Sequence, residues 1–245
     1  MTSDADLLAI QYRTPFLVSA SGRIQGENDP DRSPGPRFSL AGCATGNVAG
    51  VGLDVAEPIA AELLTIAADE PPFVERNSPP VHLRRYIELL SRSGPAPRLS
   101  LGVTFVLPNR LAYLHDVELI SSHTHEGERL LADLSAKGLP AGLLELGFRD
   151  ASEFWPPWCA ALHDGQVASA AFAARLSPVG AEAGVATVRS LRGRGYAAAA
   201  TSGWAASPGF ASHALFYSTQ QSNASSQRVI ARLGLRFLGA SLGLA

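Results

Sequence analysis

The stretch Glu182–Ala198, EAGVATVRSLRGRGYAA, decides how this chain of 245 residues is interpreted. Its first half, Glu182 to Val188, predicts a strand, and the alanine-rich run from Tyr196 predicts a helix. The turn Arg192-Gly-Arg-Gly195 joins them. Its glycines let backbone N–H groups converge, and a helix N-terminus and two arginines add positive charge, so the pattern favours an anion such as a pyrophosphate. A plain connection between two elements is the simpler alternative.

Two familiar nucleotide-binding patterns do not fit this turn. A P-loop requires a lysine after its last glycine, and the single lysine of the chain, Lys137, lies far away in the sequence. Gly193–Ala198 satisfies a relaxed GxGxxA dinucleotide pattern, but that fold needs an acid about 20 residues onward and further βαβ units. No acid follows Glu182, so a nicotinamide or flavin dinucleotide is not favoured.

Strand and helix signals surround the decisive stretch. We expect the chain to open with a hairpin around Ser21-Gly22, followed by a turn-rich loop at 26–36. Asp164-Gly165 favours a tight hairpin turn. Further strands are predicted at 38–40, 99–107, 158–162, 167–174, 214–218 and 236–242, and helices at 57–68, 81–91, 126–137, 196–206 and 223–233. The break at 93–97 divides residues 1–95 from residues 96–245.

Composition excludes several classes of protein. Hydrophobic residues make up 46% of the chain and charged residues 17%, with a formal net charge of -2, which is unlike a disordered or nucleic-acid-binding chain. An acidic start and the lack of a long apolar run favour a cytoplasmic protein without membrane or nucleic-acid partners. Cys43 and Cys159 are too few for a disulfide scaffold. His123-Thr-His125 lacks a third placed ligand, so no metal site is expected.

Charge is unevenly placed along the chain. From Gly165 onward the only acid is Glu182, against seven arginines, so this third of the chain should attract anions. A solvated arginine face without a ligand is the alternative. The aromatic residues Phe148, Phe154, Trp155 and Trp158 are expected in the core, with the wall of an acceptor pocket as the other possibility.

A second motif joins the first. Tyr217–Leu235, YSTQQSNASSQRVIARLGL, places Asn and Ser at the start of a helix that ends in Leu-Gly-Leu. Together with Arg192–Ala197, it resembles the two signatures of the GNAT superfamily of acyl-CoA-dependent N-acetyltransferases, with Leu235 where the superfamily has Phe. The resemblance is specific over about residues 158–239 and plausible back to about residue 97. Residues 1–95 lie outside the common core.

The resemblance implies a fold and a cofactor site. The fold is the α/β acyl-CoA N-acyltransferase (GNAT) fold: a mixed, mostly antiparallel sheet flanked by helices, with CoA where two parallel central strands splay apart, preceded by a small N-terminal α/β extension. The edge of Val185, Ala186 and Thr187 would pair with pantetheine. Asn223 and Ser226 would line the CoA arm, although Asn223 is also a good helix cap. The pyrophosphate would lie at Arg192, Gly193, Arg194, Gly195, Tyr196, Ala197 and Ala198.

The resemblance also implies direct transfer of an acetyl group from acetyl-CoA to a primary amine of a small molecule or peptide. Glu182 is the candidate base, acting through a water, unless it is paired with an arginine. Many relatives place a tyrosine in the last helix to protonate the thiolate, but Ile230 stands there. Tyr217 or Ser226 could replace it, or no acid is needed, because a thiol of pKa about 8.5 leaves readily.

Two other roles stay open. Loss of that tyrosine keeps a non-catalytic acyl-CoA-binding module, regulatory or scaffolding, as the alternative function. Glu182 and a hydroxyl that both reach the thioester, with an open acceptor cleft beside them, would favour the enzyme, and a sealed cleft would favour the binding module. Residues 1–95 are expected to bind the acceptor or to form a homodimer. Few residues follow the last predicted strand, so a strand from this unit or from another subunit is expected to complete the sheet.

Overall fold

The computed structural model describes residues 2–29, 31–111, 113, 116–154 and 156–245. These ranges contain both helices and strands. The helices are α1 (Asp4–Arg13), α2 (Glu57–Ala68), α3 (Leu83–Ser91), α4 (His125–Lys137), α5 (Ala141–Glu145), α6 (Tyr196–Ala205) and α7 (Ala224–Leu233). The strands are β1 (Phe16–Val18), β2 (Ile24–Glu27), β3 (Phe38–Cys43), β4 (Gly46–Val51), β5 (Leu99–Leu107), β6 (Leu119–Ser121), β7 (Trp158–His163), β8 (Gln166–Leu176), β9 (Gly180–Thr187), β10 (Ala214–Gln220) and β11 (Arg236–Leu244).

Nine strands form one sheet in the order β4-β3-β11-β5-β10-β9-β8-β7-β6, while β1 and β2 form a separate hairpin. Within the described ranges, β9 and β10 are the only parallel neighbours, and every other pair is antiparallel. Helices cover both faces of the sheet. The predicted mixed, mostly antiparallel sheet flanked by helices is therefore confirmed.

The two faces have separate cores because side chains alternate along each strand. Helices α6 and α7 pack on one face, where Trp204 and Ile230 belong to the same buried cluster as Ala181 and Ala183 of β9. Helices α2 and α3 cover β3 and β11. Helix α1 packs on the opposite face against Phe216, and α4 and α5 cover β7 and β8 there. None of the helices formed by the described residues is long and apolar enough to cross a lipid bilayer.

Helix α1 corrects the expectation that the chain opens with a hairpin. The hairpin β1–β2 exists, but a ten-residue helix precedes it. Ser3 begins that helix with a reciprocal cap: its Oγ accepts from the Asp6 N–H, and the Asp6 carboxylate accepts from the Ser3 N–H, both at 3.2 Å. This capping box uses Asp instead of the usual Glu or Gln, and the apolar stripe that follows is short, which explains why the signal is weak in the sequence.

The N-terminal segment completes the sheet within the same chain. The strand predicted at Phe38–Leu40 continues to Cys43 and returns as β4, and β3 pairs with β11 over six positions. Strand β5 lies between β10 and β11, far from β6, the next strand along the chain. Strands from residues 1–95 and from residues 96–245 thus share one sheet, while the functional division at residue 95 and the homodimer stay predictions.

Candidate active site

The central parallel pair opens a cleft in the sheet. Strands β9 and β10 pair at only three positions, ending at Phe216 and Glu182, although β9 continues to Thr187 and β10 to Gln220. Beyond this point β9 keeps its other neighbour, β8, as far as Thr187. The edge of β9 that faces away from β8 therefore lines the cleft at residues 185–187, where the Thr187 carbonyl accepts from the Arg192 Nε at 3.2 Å.

The glycine turn brings a helix N-terminus to this cleft. Gly193 and Gly195 have φ of 82° and 99°, in the left-handed region that glycine adopts without steric cost. Gly195 is the N-cap of α6, and its carbonyl accepts from the Ala199 N–H at 3.0 Å. The N–H groups of the first helical turn therefore lack partners within the helix, and residues 195–198 line the cleft. This geometry suits an anion.

Close packing fixes the position of α6. A Cβ on Gly203 would lie 2.5 Å from the Cys159 Sγ and 2.8 Å from a methyl carbon of Leu119, so only glycine lets the helix approach β6 and β7 this closely. Trp204 is fully buried and donates from Nε1 to the Pro157 carbonyl at 3.0 Å. This packing fixes α6, and with it the helix N-terminus that lines the cleft.

Most of the residues expected to bind CoA come together here. The cleft has a volume of about 630 Å³, which lies within the usual range for small-molecule sites. The predicted residues that line it are Val185, Ala186, Thr187, Arg192, Gly193, Gly195, Tyr196, Ala197, Ala198, Tyr217, Asn223 and Ser226. Arg194 is exposed and is not among the lining residues. Roles for all of them remain predictions.

Helix α7 adds residues that sequence reasoning missed. Arg228 and Arg232 line the cleft, and their i, i+4 spacing, which places both on one helix face, was the available signal. Arg192 is the third lining arginine, whereas Glu145 is the one carboxylate that lines it within the described ranges. Glu145 accepts from the Arg189 N–H at 2.9 Å. The cleft is therefore net positive.

The start of α7 faces the cleft with polar groups. Asn223 is the N-cap of the helix, and its Oδ1 accepts from the Ser226 N–H at 3.2 Å. Because Asn223 also lines the cleft, capping and ligand contact are compatible. The Tyr217 hydroxyl donates to the Ser226 Oγ at 3.5 Å, and burial raises the pKa of Tyr217. Ile230 is 5% exposed and packs in the core.

A second cavity, of about 480 Å³, opens on the opposite face of the sheet. We call it the sheet-face cavity. Its floor is formed by β3, β11, β5, β10, β9 and the end of β8, and its far wall includes Gln11 and Tyr12 of α1. Glu182 lines this cavity and not the cleft, because its neighbours Ala181 and Ala183 face α6. An open space beside Glu182 is the feature expected of an enzyme.

The electrostatics around Glu182 suit a base. Burial raises the pKa of its carboxyl group, while a hydrogen bond from Ser218 and the charge of Arg175 act in the opposite direction. Glu27 raises that pKa further. Among the described residues Glu182 forms no salt bridge, because Arg175 pairs with Glu27 and lies 3.9 Å from Asp29. The charge of Arg175 nevertheless acts on Glu182, so both the role of Glu182 as a base and its pairing with an arginine stay predictions.

The remaining sequence candidates have structural roles. Phe148 and Phe154 stack with ring centroids 4.3 Å apart, and Trp158 meets Phe154 edge-on at 5.9 Å, all within a buried cluster. Trp155 lies outside the described residues. His125 lies 3.6 Å from Glu128 on the exposed surface of α4. The described part of the chain contains no group of three His, Cys, Asp or Glu residues placed to hold a metal ion.

No family model matches this chain, and no curated protein matches it. Several solved structures to which it is similar are described as acetyltransferases. A GCN5-related N-acetyltransferase from Kribbella flavida is 18% identical, with a TM-score of 0.44 over 67% of this chain and 63% of the other. An acetyltransferase from the GNAT family from Colwellia psychrerythraea is 18% identical, with a TM-score of 0.40 over 65% and 60%.

A GCN5-related N-acetyltransferase-like protein from Streptococcus suis is 15% identical, with a TM-score of 0.44 over 89% of this chain and 86% of the other. The chain spans less than two thirds of the length of the first two proteins. Likeness at this distance identifies no activity. What the comparisons do show is that GNAT acetyltransferases are among the solved structures this chain resembles.

Proposed function

We propose that this protein is an N-acetyltransferase of the GNAT superfamily that moves an acetyl group from acetyl-CoA directly to a primary amine of a small molecule or peptide. The observation that carries the proposal is the cleft: a splayed parallel strand pair, a glycine turn and a helix N-terminus converge on one net-positive space. These parts match the phosphate and amide groups of CoA in charge and hydrogen-bonding capacity.

Each part of the cleft has a place in this proposal. The N–H groups at 193–198 would bind the pyrophosphate, and Arg192, Arg228 and Arg232 would offset the phosphate charges. The edge of β9 at 185–187, which β10 leaves without a neighbouring strand, would hydrogen-bond the amide groups of pantetheine, as a neighbouring strand does. The thioester would then lie near the point where β9 and β10 part.

The chemistry then needs only a base and a proton donor. Glu182 would take a proton from the incoming ammonium through a water, from the side of the sheet-face cavity. The neutral amine would form the C–N bond as the C–S bond breaks, Tyr217 would give its proton to the departing thiolate, and the proton that the acetylated nitrogen loses would restore the phenol. Holding both substrates together supplies much of the rate enhancement.

The alternative, a non-catalytic acyl-CoA-binding module, keeps one observation in its favour. Ile230 is buried in the core, so the last helix offers no hydroxyl at that position. The sheet-face cavity argues for the enzyme, because a sealed space beside Glu182 would have left no room for an acceptor.

Isothermal titration of acetyl-CoA into the wild type and a Gly195→Glu variant tests the cofactor site. We expect the wild type to bind acetyl-CoA with micromolar affinity, within the range of about 1 µM to 1 mM that is common for enzyme substrates. The variant should not bind, because its carboxylate would repel the pyrophosphate. Gly22→Glu is the matched control, since Gly22 also has a positive φ of 79° but lies in the β1–β2 turn. A folded wild type that binds no acetyl-CoA sinks the proposal.

Thiol release with a panel of primary amines then tests the reaction. We expect Glu182→Gln to lower kcat by about 100-fold or more, in line with the usual contribution of a general base, while acetyl-CoA affinity stays within about twofold. Glu62→Gln, an exposed change on α2, is the control. Binding of acetyl-CoA without release for any amine would favour the binding module.

A further inference from the structure

The sheet-face cavity places two unlike charged groups side by side. Arg175 of β8 and Glu182 of β9 are direct partners in the antiparallel register, and both line the cavity. We propose that this cavity binds the amino end of a peptide or of an amino acid amide, with the α-amine beside Glu182 and the first carbonyl oxygen accepting a hydrogen bond from the Arg175 guanidinium. The inference rests on the proposed function and names its acceptor class.

Geometry supports this pairing of groups. Partner residues on antiparallel strands have Cα atoms about 4.5–5.5 Å apart, so their side chains rise from neighbouring points of the floor. In an α-amino amide, the amine nitrogen and the carbonyl oxygen are separated by only two carbon atoms. One such head group can therefore contact both side chains at once, which a simple amine without a carbonyl cannot do.

The Arg175 guanidinium has hydrogen-bonding capacity to spare. Of its five N–H donors, one is given to the Ala174 carbonyl at 3.0 Å and another to the Glu27 carboxylate. Its buried Nε has no hydrogen-bond partner among the residues that the structure describes. Buried donors without partners are rare and costly, so a ligand oxygen beside this group would be stabilising.

Charge decides which kind of oxygen fits. The positive charge of Arg175 already faces the carboxylates of Glu27 and Asp29, and Glu182 is the third carboxylate of the cluster. A free carboxylate that entered here would meet a net negative environment, whereas a neutral amide carbonyl would not. Arg98, which also lines the cavity, lies just before β5. The point of β5 level with Glu182 is Val106, eight residues further on, because both residues pair with Phe216. Arg98 therefore lies too far along the strand to balance this cluster.

The rest of the cavity suits a neutral polar chain. Its floor carries small residues on adjacent strands, where Gly102 pairs with Ser241 and Gly243 with Ser39. Gly243 leaves room for an extended backbone, because a Cβ there would have only the Ser100 Cβ within 4 Å, at 3.9 Å. Hydroxyl groups can donate or accept, as the N–H and C=O groups of a peptide require. An amide-bearing acceptor thus finds partners beyond its first carbonyl.

Acceptor kinetics at saturating acetyl-CoA test the inference with three probes: alaninamide, alanine and isopropylamine. We expect the wild type to prefer alaninamide over alanine. Arg175→Lys keeps a cation for Glu27 but removes the planar set of donors, so it should lower kcat/KM for alaninamide about 10-fold or more. The decrease in kcat/KM for isopropylamine, which has no carbonyl, should be at least about fivefold smaller than the decrease for alaninamide. Comparing enzyme forms cancels the different basicities of the amines.

Arg236→Lys is the matched control, because Arg236 also pairs with one carboxylate, Asp4 at 2.8 Å, but does not line the cavity. This variant should have the same kcat/KM as the wild type for all three acceptors. Equal losses for alaninamide and isopropylamine in Arg175→Lys, or a preference of the wild type for alanine, would overturn the inference.

Direct titration of alaninamide into the wild type bound to CoA gives a second readout that does not depend on a variant or on turnover. Binding supports the inference, and no binding overturns it while the cofactor site stands. Failure of the wild type to bind acetyl-CoA in the first place would instead overturn the proposed function.

Discussion

Glu182 and Tyr217 lie on neighbouring strands but open to opposite faces of the sheet. Glu182 is in register with Phe216, and Tyr217 is the next residue along β10, so strand alternation turns its side chain to the face of α6 and α7. The proposed base therefore serves the sheet-face cavity, and the proposed acid serves the cleft. Amine and thioester would meet from the two sides of the gap between β9 and β10.

The raised pKa of Glu182 predicts opposite effects of pH on activity and stability. Folding favours the protonated carboxyl group of Glu182, because its pKa is raised in the folded protein. As the pH rises from about 4.3, the ordinary pKa of glutamate, through this raised pKa, the free energy of unfolding of the wild type should fall relative to that of Glu182→Gln. Activity should rise over the same interval, since the base must be ionised. Urea denaturation of both proteins across this interval checks the first effect, and a pH–rate profile checks the second. A stability difference independent of pH would contradict the assignment.

Tyr217→Phe should lower kcat about 10-fold, less than the usual contribution of a general acid of about 100-fold or more, because a thiolate leaves readily without help. Burial raises the pKa of Tyr217, so the phenol keeps its proton at neutral pH. Acetyl-CoA affinity should change by less than about twofold, which titration can verify. Ser226→Ala is the companion variant, since it removes the partner of the hydroxyl but keeps the phenol. An unchanged kcat in Tyr217→Phe would remove this residue from the mechanism.

Gly203→Ala should destabilise the protein, although alanine is favoured over glycine within helices by about 1 kcal/mol. The added Cβ would meet the Cys159 Sγ at 2.5 Å, and overpacking of this kind costs about 1–3 kcal/mol. Displacement of α6 should also weaken acetyl-CoA binding, because the N-terminus of that helix lines the cleft. Chemical denaturation and titration measure the two effects. Adding Cys159→Ala removes the sulfur atom and should restore part of both losses; no recovery would point to another cause.

Both cysteines should be silent in a thiol-release assay. Cys43 and Cys159 are fully buried, and burial raises the pKa of the Cys159 thiol to about 11. Ellman's reagent should therefore react with the native protein much more slowly than with the protein in denaturant. Fast labelling of the native protein would contradict this burial. It would also reopen the possibility of an acetylated cysteine, which direct transfer does not require.

The sequence reveals local features of this protein better than distant ones. Asp164-Gly165 forms the expected tight turn, with both residues at positive φ, and Gly195 caps α6 as its motif indicates. These features depend on a few consecutive residues. The insertion of β5 between β10 and β11 depends on pairing across more than 100 residues, for which no local pattern exists. That is why the sheet order could not be predicted.

The candidate site divides in the same way. The glycine turn at 192–195 and the start of α7 are continuous motifs, so the residues that line the cleft there could be named in advance. Side chains alternate along a strand, so the sequence predicts that Glu182 and its neighbours point to opposite faces of the sheet. It does not predict which face holds the cleft and which holds the sheet-face cavity. The ion pair of Arg175 with Glu27 joins residues 148 positions apart, and the sequence gives no sign of it.

The pairing of β3 with β11 also orders events in time. Residues 38–43 are synthesised almost 200 residues before residues 239–244, with which they pair. Until then the β3–β4 hairpin lacks its inner neighbour and exposes an unpaired strand edge, a surface on which nascent chains aggregate. Contacts of such long range also slow folding. A ribosome-bound chain arrested before β11 should therefore hold its acidic N-terminal segment open to proteases and chaperones.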